Sequence, residues 1–261
     1  MYLKALLNFA ISMKNCLVFF LFAILACSKK EVTPVSTPKP GDSFPGAACA
    51  VKSITTANVT STYSYNSSGL VDTIVVKFQS MTSVTAITYD AQGQLKELIN
   101  DFFHQTFQTG TNGKPITETS RGRDSLGNDS AFSEVITYTY DASGTIQKVA
   151  LDAYTYSRYE YNAQGNVSKI FTRAGTTETL MSEYTSYDDK KYPLANVPFR
   201  ITVIQGGTGG TKIAVSYYPP LMTNNFLSVK SSTSTETITY TYNSANYPLV
   251  GGGATFAYYC K

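Results

Sequence analysis

The chain has 261 residues with 21 basic and 18 acidic side chains, 20 tyrosines, one histidine and no tryptophan. Five basic and two acidic residues lie in residues 1–48, so the rest of the chain carries 16 of each sign. A neutral domain is a poor nucleic-acid binder, because phosphate contacts need clustered lysine and arginine. The single histidine also argues against a histidine-based metal cluster.

Residues 1–26 are a predicted lipoprotein signal peptide. Lys14 supplies the positive end, and the apolar run at residues 17–25 is too short to span a bilayer as a helix. The sequence ILAC, which ends at Cys27, resembles a lipobox, where cleavage follows acylation of the cysteine thiol. We expect Cys27 to carry a lipid that anchors the protein in the outer membrane, facing the periplasm or the cell surface. An ordinary signal peptide with a chance cysteine is the alternative.

Residues 27–46 are predicted to be the lipidated cysteine and a tether, and residues 47–261 a single β-repeat domain. The tether has no periodic apolar pattern, and its prolines are Pro34, Pro38, Pro40 and Pro45. Proline-rich segments stay extended, at about 3.1 Å per residue. The tether is therefore expected to hold the domain tens of ångströms from the membrane.

A ten-residue unit recurs along the domain. It reads tyrosine, aspartate or asparagine, two small or polar residues, glycine, one variable residue, an apolar residue, two polar residues and an apolar residue. Clear copies begin at Tyr65, Tyr89, Tyr140 and Tyr161. Alternating Tyr, Thr, Ile and Val before each copy predict a strand, and the Asp or Asn side chain can start a turn. The glycines should supply the positive φ that such a hairpin loop needs; they are Gly69, Gly93, Gly144 and Gly165.

The return strand of each unit is predicted to contain a β-bulge or to lie at an edge, because its apolar residues are three apart rather than two. Degenerate units are expected at residues 107–116 and 217–226. Eroded copies begin at Tyr187, which has lost its glycine, and at Tyr242, which has Asn246 at the glycine site. The helix-like stretch at residues 94–103 is interpreted as strand. These units predict an all-β fold. Its antiparallel sheet should consist of about eight hairpin units, each of about 25 residues, and should be curved or rolled.

The four cysteines separate into two groups. Cys16 leaves with the signal peptide and Cys27 takes the lipid, which leaves Cys49 and Cys260 at the two ends of the domain. An oxidising compartment favours a disulfide between them, and two buried free thiols are the alternative.

Four sequence features could take part in catalysis or metal or phosphate binding. His104 has no Gly-x-Ser-x-Gly elbow to support a catalytic triad. The loop with Asp124, Asn128 and Asp129 lacks the EF-hand order and is interpreted as a polar hairpin loop. The glycine-rich residues 206–210 are interpreted as a flexible hairpin tip. Asp188 and Asp189, which are neighbours in the sequence, are interpreted as part of a turn.

The tyrosines are the feature most open to a functional interpretation. Tyr63 with Tyr65, and Tyr138 with Tyr140, each project from one face of a strand, so neighbouring strands would stack them into an aromatic ladder. Cross-strand packing is favoured over a sugar- or protein-binding platform, because a repeated residue recurs for structural reasons wherever its unit recurs.

The Tyr-Asp-x-x-Gly unit resembles the YD repeat of RHS-type proteins. The closer resemblance is to single-domain bacterial lipoproteins of unknown function that carry a short run of such units. It covers residues 49–260 and includes the Tyr-Asp-Asp-Lys segment at residues 187–193 and the end at Tyr258-Tyr259-Cys260. There are too few units for the large closed shell of long RHS chains, and no toxin-like domain follows.

The expected function is a non-catalytic binding or structural module of the cell envelope. The expected partners are the membrane, through the lipid, and a glycan or an envelope protein; no cofactor, metal or nucleic acid is expected. A carbohydrate-active hydrolase with a carboxylate pair in a groove of the sheet is the alternative, since spacing across a sheet is invisible in sequence.

Overall fold

β-Strands and turns, without a helix, make up the part of the chain that the computed structural model describes, which is residues 49–195, 197–204, 211–219 and 221–260. These residues all belong to one compact unit. The predicted signal peptide, Cys27 and the tether lie outside the described residues. The all-β class is confirmed.

Seventeen strands form one antiparallel sheet, and β13 and β14 form a separate hairpin. The strands are β1 (Cys49–Thr55), β2 (Val59–Tyr65), β3 (Val71–Phe78), β4 (Met81–Tyr89), β5 (Leu95–Ile99), β6 (Phe103–Thr109), β7 (Pro115–Arg123), β8 (Asp129–Tyr140), β9 (Ile146–Ala150), β10 (Thr155–Tyr161), β11 (Val167–Ala174), β12 (Thr177–Lys191), β13 (Phe199–Ile204), β14 (Lys212–Tyr217), β15 (Asn224–Lys230), β16 (Thr235–Thr237), β17 (Tyr240–Tyr242), β18 (Pro248–Gly251) and β19 (Ala254–Cys260).

The two ends of the domain meet inside the sheet. Strand β1 pairs with β2 on one side and with β19 on the other, and Cys49 lies opposite Cys260. The sheet then runs from β2 in chain order to β12, followed by β15 and β16, while β19 leads outward to β18 and β17. The edges are therefore β16 and β17, and the backbone ladder does not close between them. The two ends of the domain, where the disulfide was predicted, thus pair with each other.

The repeated turns share one hydrogen-bonding geometry. In the turn at residues 141–145, the amide of Gly144 donates to the carbonyl of Asp141 (3.0 Å), and the amide of Asp141 donates to the carbonyl of Thr145 (2.9 Å). The Asp141 carboxylate accepts from the amides of Ser143 and Thr145. Within the described residues the same backbone pattern occurs at 66–70, 90–94, 110–114, 124–128, 141–145, 162–166 and 243–247.

Positive φ angles occur at the glycine position of these turns. The values at Gly69, Gly93, Gly144 and Gly165 lie between +76° and +80°, and Asn246 adopts +64°. A residue with a Cβ rarely adopts this conformation, with asparagine among the most tolerant. The turn therefore depends on glycine, or on asparagine as a substitute.

The predicted bulge in the return strands is confirmed. Ser64 pairs with Thr73 and Tyr65 with Val71, so Asp72 has no opposite residue. The same position is skipped in the other return strands at Lys96, Ile116, Gln147, Ser168 and Leu249. Each of these six units therefore has one bulge residue three positions after its turn glycine or asparagine.

Two predicted units are wrong. The segment Tyr187–Lys191 is the end of the long strand β12 rather than a turn, because it lacks a residue suited to positive φ. Residues 217–226 contain the end of β14 and the start of β15, and no repeat turn occurs among the described residues of this segment. The turn at residues 124–128 was missed as a unit because Arg123 occupies the tyrosine position. The count of about eight units stays a prediction.

The inner face of the sheet surrounds the β13–β14 hairpin. Buried residues from β2, β3, β8, β10 and β11 form one apolar core with Phe199, Ile213 and Val215 of the hairpin. The Tyr217 ring meets those of Phe107 and Tyr138 edge to face, with ring centroids 5.8 and 5.3 Å apart. Because strands far apart in the sheet order contact one hairpin, the sheet is rolled around it.

Candidate functional site

The repeat tyrosines do not form an exposed platform. Tyr63, Tyr65 and Tyr138 are 1%, 5% and 6% exposed and belong to the core. Desolvation by burial raises the pKa of each of these phenols well above its ordinary value. Their role is the packing that the sequence analysis favoured.

Most phenols of the clear units are also tied to a backbone carbonyl of the adjacent unit. The Tyr89 hydroxyl donates a 2.8 Å hydrogen bond to the carbonyl of Val71. Bonds of the same length join Tyr140 to the carbonyl of Pro115 and Tyr161 to that of Ile146. Each acceptor lies two residues after a turn glycine, at the start of a return strand. Tyr187 and Tyr258 donate to the equivalent carbonyls of Val167 and Pro248. The tyrosine of the motif is thus a structural link between units.

A cavity of about 590 Å³ opens between two neighbouring repeat turns. We call it the rim notch, and its polar lining consists of Asp141, Thr145, Gln147, Arg158, Glu160, Asn162 and Ser168. The turns at 141–145 and 162–166 stand side by side because β9 and β10, which separate them in the chain, pair with each other. Gln147 and Ser168 are the bulge residues of the two units. The repeat geometry therefore directs these two side chains to the notch.

The carboxylate of Asp141 is held by the turn that it starts. It accepts hydrogen bonds from the Ser143 hydroxyl (2.6 Å), the Thr145 amide (2.8 Å) and the Gln147 amide group (3.2 Å). The Ser143 hydrogen bond is the main cause that lowers the pKa of Asp141. Asp141 is thus an anion that acts as an acceptor.

Arg158 is fixed by two carboxylates. Its guanidinium contacts both oxygens of Glu178, at 2.7 and 3.2 Å, and one oxygen of Glu160 at 2.7 Å. These hydrogen bonds, led by those to Glu178, raise the pKa of Arg158. A guanidinium held in this way presents its remaining surface in a defined orientation, which suits recognition of a polar ligand.

Cations and aromatic rings alternate on the outer face beside the notch. The Arg158 guanidinium lies 4.1 Å from the Phe171 ring centroid, and the Lys148 ammonium lies 3.9 Å from that of Tyr156. The Arg173 guanidinium lies 5.7 Å from the Tyr156 ring. We call these five residues the cation–aromatic patch. Its contacts order the side chains that border the notch.

His104 lies between two carboxylates. Its Nδ1 is 2.5 Å from an oxygen of Asp129, and its Nε2 is 2.6 Å from an oxygen of Glu97. With both ring nitrogens engaged, neither is available to accept a proton from a serine hydroxyl. His104 is therefore part of a hydrogen-bonded cluster with two carboxyl groups rather than a triad.

The predicted polar loop at Asp124 is a repeat turn. One Asp124 oxygen accepts from the amides of Leu126 and Asn128, and the other accepts from the Asn128 side chain. The backbone hydrogen bond from Asn128 is the main cause that lowers the pKa of Asp124. No group of three or more His, Cys, Asp or Glu side chains in the described part of the chain is placed to hold a metal ion.

The carboxylates of Asp188 and Asp189 contact different partners. Asp188 accepts hydrogen bonds from the side chains of Tyr242 and Asn225, which links the end of β12 to both β17 and β15. Asp189 pairs with Lys190 at 3.0 Å. Residues 206–210 lie outside the described residues, but the flanking strands β13 and β14 form the expected hairpin.

One buried carboxyl group, that of Glu118, was not predicted from the sequence. Glu118 is 2% exposed, and its Oε2 accepts a hydrogen bond of 2.5 Å from the Tyr138 hydroxyl. Desolvation raises the pKa of Glu118 to about 7, although the tyrosine bond acts in the opposite direction. Nothing in the local sequence marks it, because its burial follows from strand register: Glu118 lies opposite Phe107 and Ile136, both of which pack against the core.

Cys49 and Cys260 form a disulfide, with their Cα atoms 4.1 Å apart. This separation is slightly below the usual range of about 4.4–6.8 Å, and the two residues face each other directly on neighbouring strands. Cys49 begins β1 and Cys260 ends β19, at the rim of the sheet that also carries the turns 141–145 and 162–166. The bond therefore joins the two ends of the domain at that rim.

Comparison with known proteins gives a fold but no family. No family model matches the chain, and no curated protein matches it. A porin-like protein from Bacteroides uniformis is similar in structure, with a TM-score of 0.51 and 15% identity over 83% of this chain and 100% of that chain. At this identity the likeness concerns the fold alone.

A second similar structure is too distant from this chain to support an argument about its function. A Photorhabdus luminescens Tc holotoxin pore chain is 14% identical over 74% of this chain but only 12% of its own length, with a TM-score of 0.30. No helix among the described residues is long and apolar enough to cross a membrane. The comparisons thus establish a β-rich fold that is shared with a porin-like protein.

Proposed function

We propose that this protein is a lipid-anchored module of the outer membrane, of the YD-repeat lipoprotein type, that binds a glycan at the rim notch without cleaving it. The observation that carries the proposal is the lining of the notch, in which hydrogen-bond donors and acceptors are mixed and held by the repeat turns. The scaffold is rigid at this point because two hairpin turns and a strand ladder fix it.

The chemistry of the lining favours a neutral polyhydroxyl ligand. Asp141 and Glu160 supply acceptors, Arg158 supplies donors, and Gln147 and Ser168 supply both. An anion would face two carboxylates, and an apolar ligand would desolvate every polar group without replacing its hydrogen bonds. Sugar hydroxyls donate and accept, so they match the mixture.

The membrane location rests on the sequence. The signal peptide, Cys27 and the proline-rich tether support a lipid anchor, and the four clear Tyr-Asp/Asn-x-x-Gly units support the YD-repeat lipoprotein type. The fold shared with a porin-like protein is compatible with a place in the envelope.

Binding is favoured over hydrolysis because of the protonation states of the carboxyls. A glycosidase of the usual type needs one carboxylic acid that stays protonated near neutral pH and a second carboxylate close to it. In the notch, the pKa of Asp141 is lowered and Glu160 is paired with Arg158. Among the described carboxyls, Glu118 has a raised pKa, but it is buried in the core. The hydrolase alternative therefore lacks support in the notch.

The test uses the whole chain with Cys27→Ser, which removes the lipid site and keeps every other residue. Binding to an array of neutral and acidic bacterial glycans should show affinity for neutral members, and calorimetry should measure it. Ser168→Leu should abolish the binding, since it places a bulky apolar side chain in the notch. The fold tolerates leucine at this position, because Leu249 occupies the equivalent bulge.

Lys96→Ala is the matched control. Lys96 is the bulge residue of another unit and does not line the notch, so this variant should bind as the parent does. Incubation with a bound glycan should release no new reducing ends. Release of fragments, or unchanged binding by Ser168→Leu, would refute the proposal. The anchor is tested separately: with native Cys27 the protein should partition into Triton X-114, and with Cys27→Ser it should not.

A further inference from the structure

Strand β8 has a long stretch without a neighbour on one side. Strand β9 pairs only with its last residues, from Thr137 opposite Ala150 to Tyr140 opposite Ile146. The chain then turns at residues 151–155 and returns as β10. In the described part of the chain, Asp129–Ile136 therefore has β7 on one side, paired at Asp129 and at Ser133–Ile136, and no strand on the other.

This open edge spans eight residues, and a register irregularity at residues 130–132 leaves Ser133–Ile136 as its regular part. Edge strands normally carry lysine or proline, or are very short, to prevent pairing with other chains. Residues 129–136 contain neither lysine nor proline. Phe132 and Val135 are 63% and 47% exposed. The sheet edges β16 and β17, by contrast, have three residues each.

The charge of the edge selects the kind of partner. Its charged residues are Asp129 and Glu134, without a cation. Asp129 is already paired with His104 and Arg123. Glu134 has no ion pair within the residues that the structure describes. A partner strand thus meets one uncompensated carboxylate on the face of Glu134 and an exposed valine on the face of Val135.

We propose that Asp129–Ile136 is a docking edge that accepts an extended basic segment of another protein as an added β-strand. Main-chain hydrogen bonds to the open side of β8 provide the affinity, and side chains provide the selectivity. The segment places a lysine or arginine opposite Glu134 and a β-branched residue opposite Val135. These two positions alternate along a strand, so the preferred partner alternates basic and apolar residues.

A second copy of this chain is a poorer occupant. An antiparallel second copy in the register that places Glu134 opposite Glu134 would bring two carboxylates together, without a cation to separate them. Like charges on facing strands are destabilising. The uncompensated charge thus favours a different, basic protein.

The test uses the full chain with Cys27→Ser and an eight-residue peptide of alternating valine and lysine. Hydrogen exchange followed residue by residue by NMR should show that, without peptide, the outward amides of residues 129–136 exchange faster than those of the paired residues 137–140. The peptide should slow alternate amides in residues 129–136. A version with N-methylated backbone amides should have no effect, because it cannot form the ladder.

Charge is tested with a peptide of valine and glutamate and with two variants. The glutamate peptide and the variant Glu134→Gln should each weaken binding, Glu134→Gln by about two- to fivefold. Glu236→Gln, which removes a carboxylate from the edge strand β16, should leave the affinity unchanged. Equal binding of both peptides, or slow exchange of the outward amides before peptide is added, would overturn the proposal. Protection that rises with protein concentration alone would assign the edge to a second copy.

Discussion

The hydroxyl of Tyr89 donates a hydrogen bond of 2.8 Å to the carbonyl oxygen of Val71. Val71 is the first residue of the return strand that follows the turn of Gly69, so the tyrosine of one unit contacts the backbone of the unit before it. Thr109 occupies the tyrosine position of the next unit and is too short to reach the equivalent carbonyl. The tyrosine therefore couples neighbouring units, which explains why it recurs.

Removing this hydroxyl should lower stability. Tyr89→Phe should reduce the free energy of unfolding by about 1 kcal/mol, because a half-buried carbonyl loses one donor. Urea unfolding followed by circular dichroism measures the change. Tyr154→Phe is the control: Tyr154 is 60% exposed, so its variant should stay within about 0.5 kcal/mol of the parent. Equal losses in both variants would contradict a linking role for the repeat phenol.

A turn glycine should be costly to replace even where there is space for a side chain. Gly165 has φ +79°, and a Cβ built on it meets nothing within 4 Å. Gly165→Val should therefore cost about 1–3 kcal/mol from backbone strain alone. Gly122, in strand β7, has equal space but an ordinary φ, so Gly122→Val should stay within about 0.5 kcal/mol. Similar unfolding midpoints for the two variants would rule out the strain argument.

Loss of the disulfide should strongly destabilise the domain. Cys49 and Cys260 are 211 residues apart, and the chain-entropy model gives roughly 5 kcal/mol as an upper figure for a loop of this length. For a domain of this size that corresponds to a fall in Tm of roughly 10–20 °C. Calorimetry of the double variant Cys49→Ser with Cys260→Ser should record it. An unchanged Tm would show that the β1–β19 ladder holds the ends unaided.

Stability should fall as the pH rises towards neutrality because of Glu118. The pKa of this carboxyl rises from 4.5 to about 7 on folding, so its stabilising effect is full below about pH 4.5 and is lost as the pH passes about 7. The full difference corresponds to about 3 kcal/mol. Urea midpoints measured across this range should decline in the parent and decline less in Glu118→Gln. The exposed variant Glu236→Gln should keep the slope of the parent, and an identical slope in Glu118→Gln would exclude this residue as its source.

The turns were predictable because their chemistry is local. An aspartate or asparagine followed three residues later by glycine encodes a hairpin loop, and the spacing after Gly144 encodes the bulge at Gln147. The same rule explains one error: Tyr187–Lys191 has the first residues of the unit but no glycine, and it continues as strand.

The rim notch and the open edge of β8 could not be predicted, since both depend on strand register. The notch exists because Ala150 pairs with Tyr156, which brings two separate turns together. The open edge exists because β9 ends at Ala150 while β8 continues for eight residues beyond it. Neither pairing leaves a signal in the local sequence, and the burial of Glu118 follows from register in the same way.

The junction at Cys49 also determines how the domain bears mechanical load. A pull transmitted by the segment before Cys49 acts on β1 along its length, so the ladders to β2 and β19 are loaded in shear. The first bond in the path of that force is covalent, because Cys49 is bonded to Cys260. Tension is therefore shared at once between two strands that both have neighbours in the sheet, and β1 cannot peel away from β19 while the crosslink is intact.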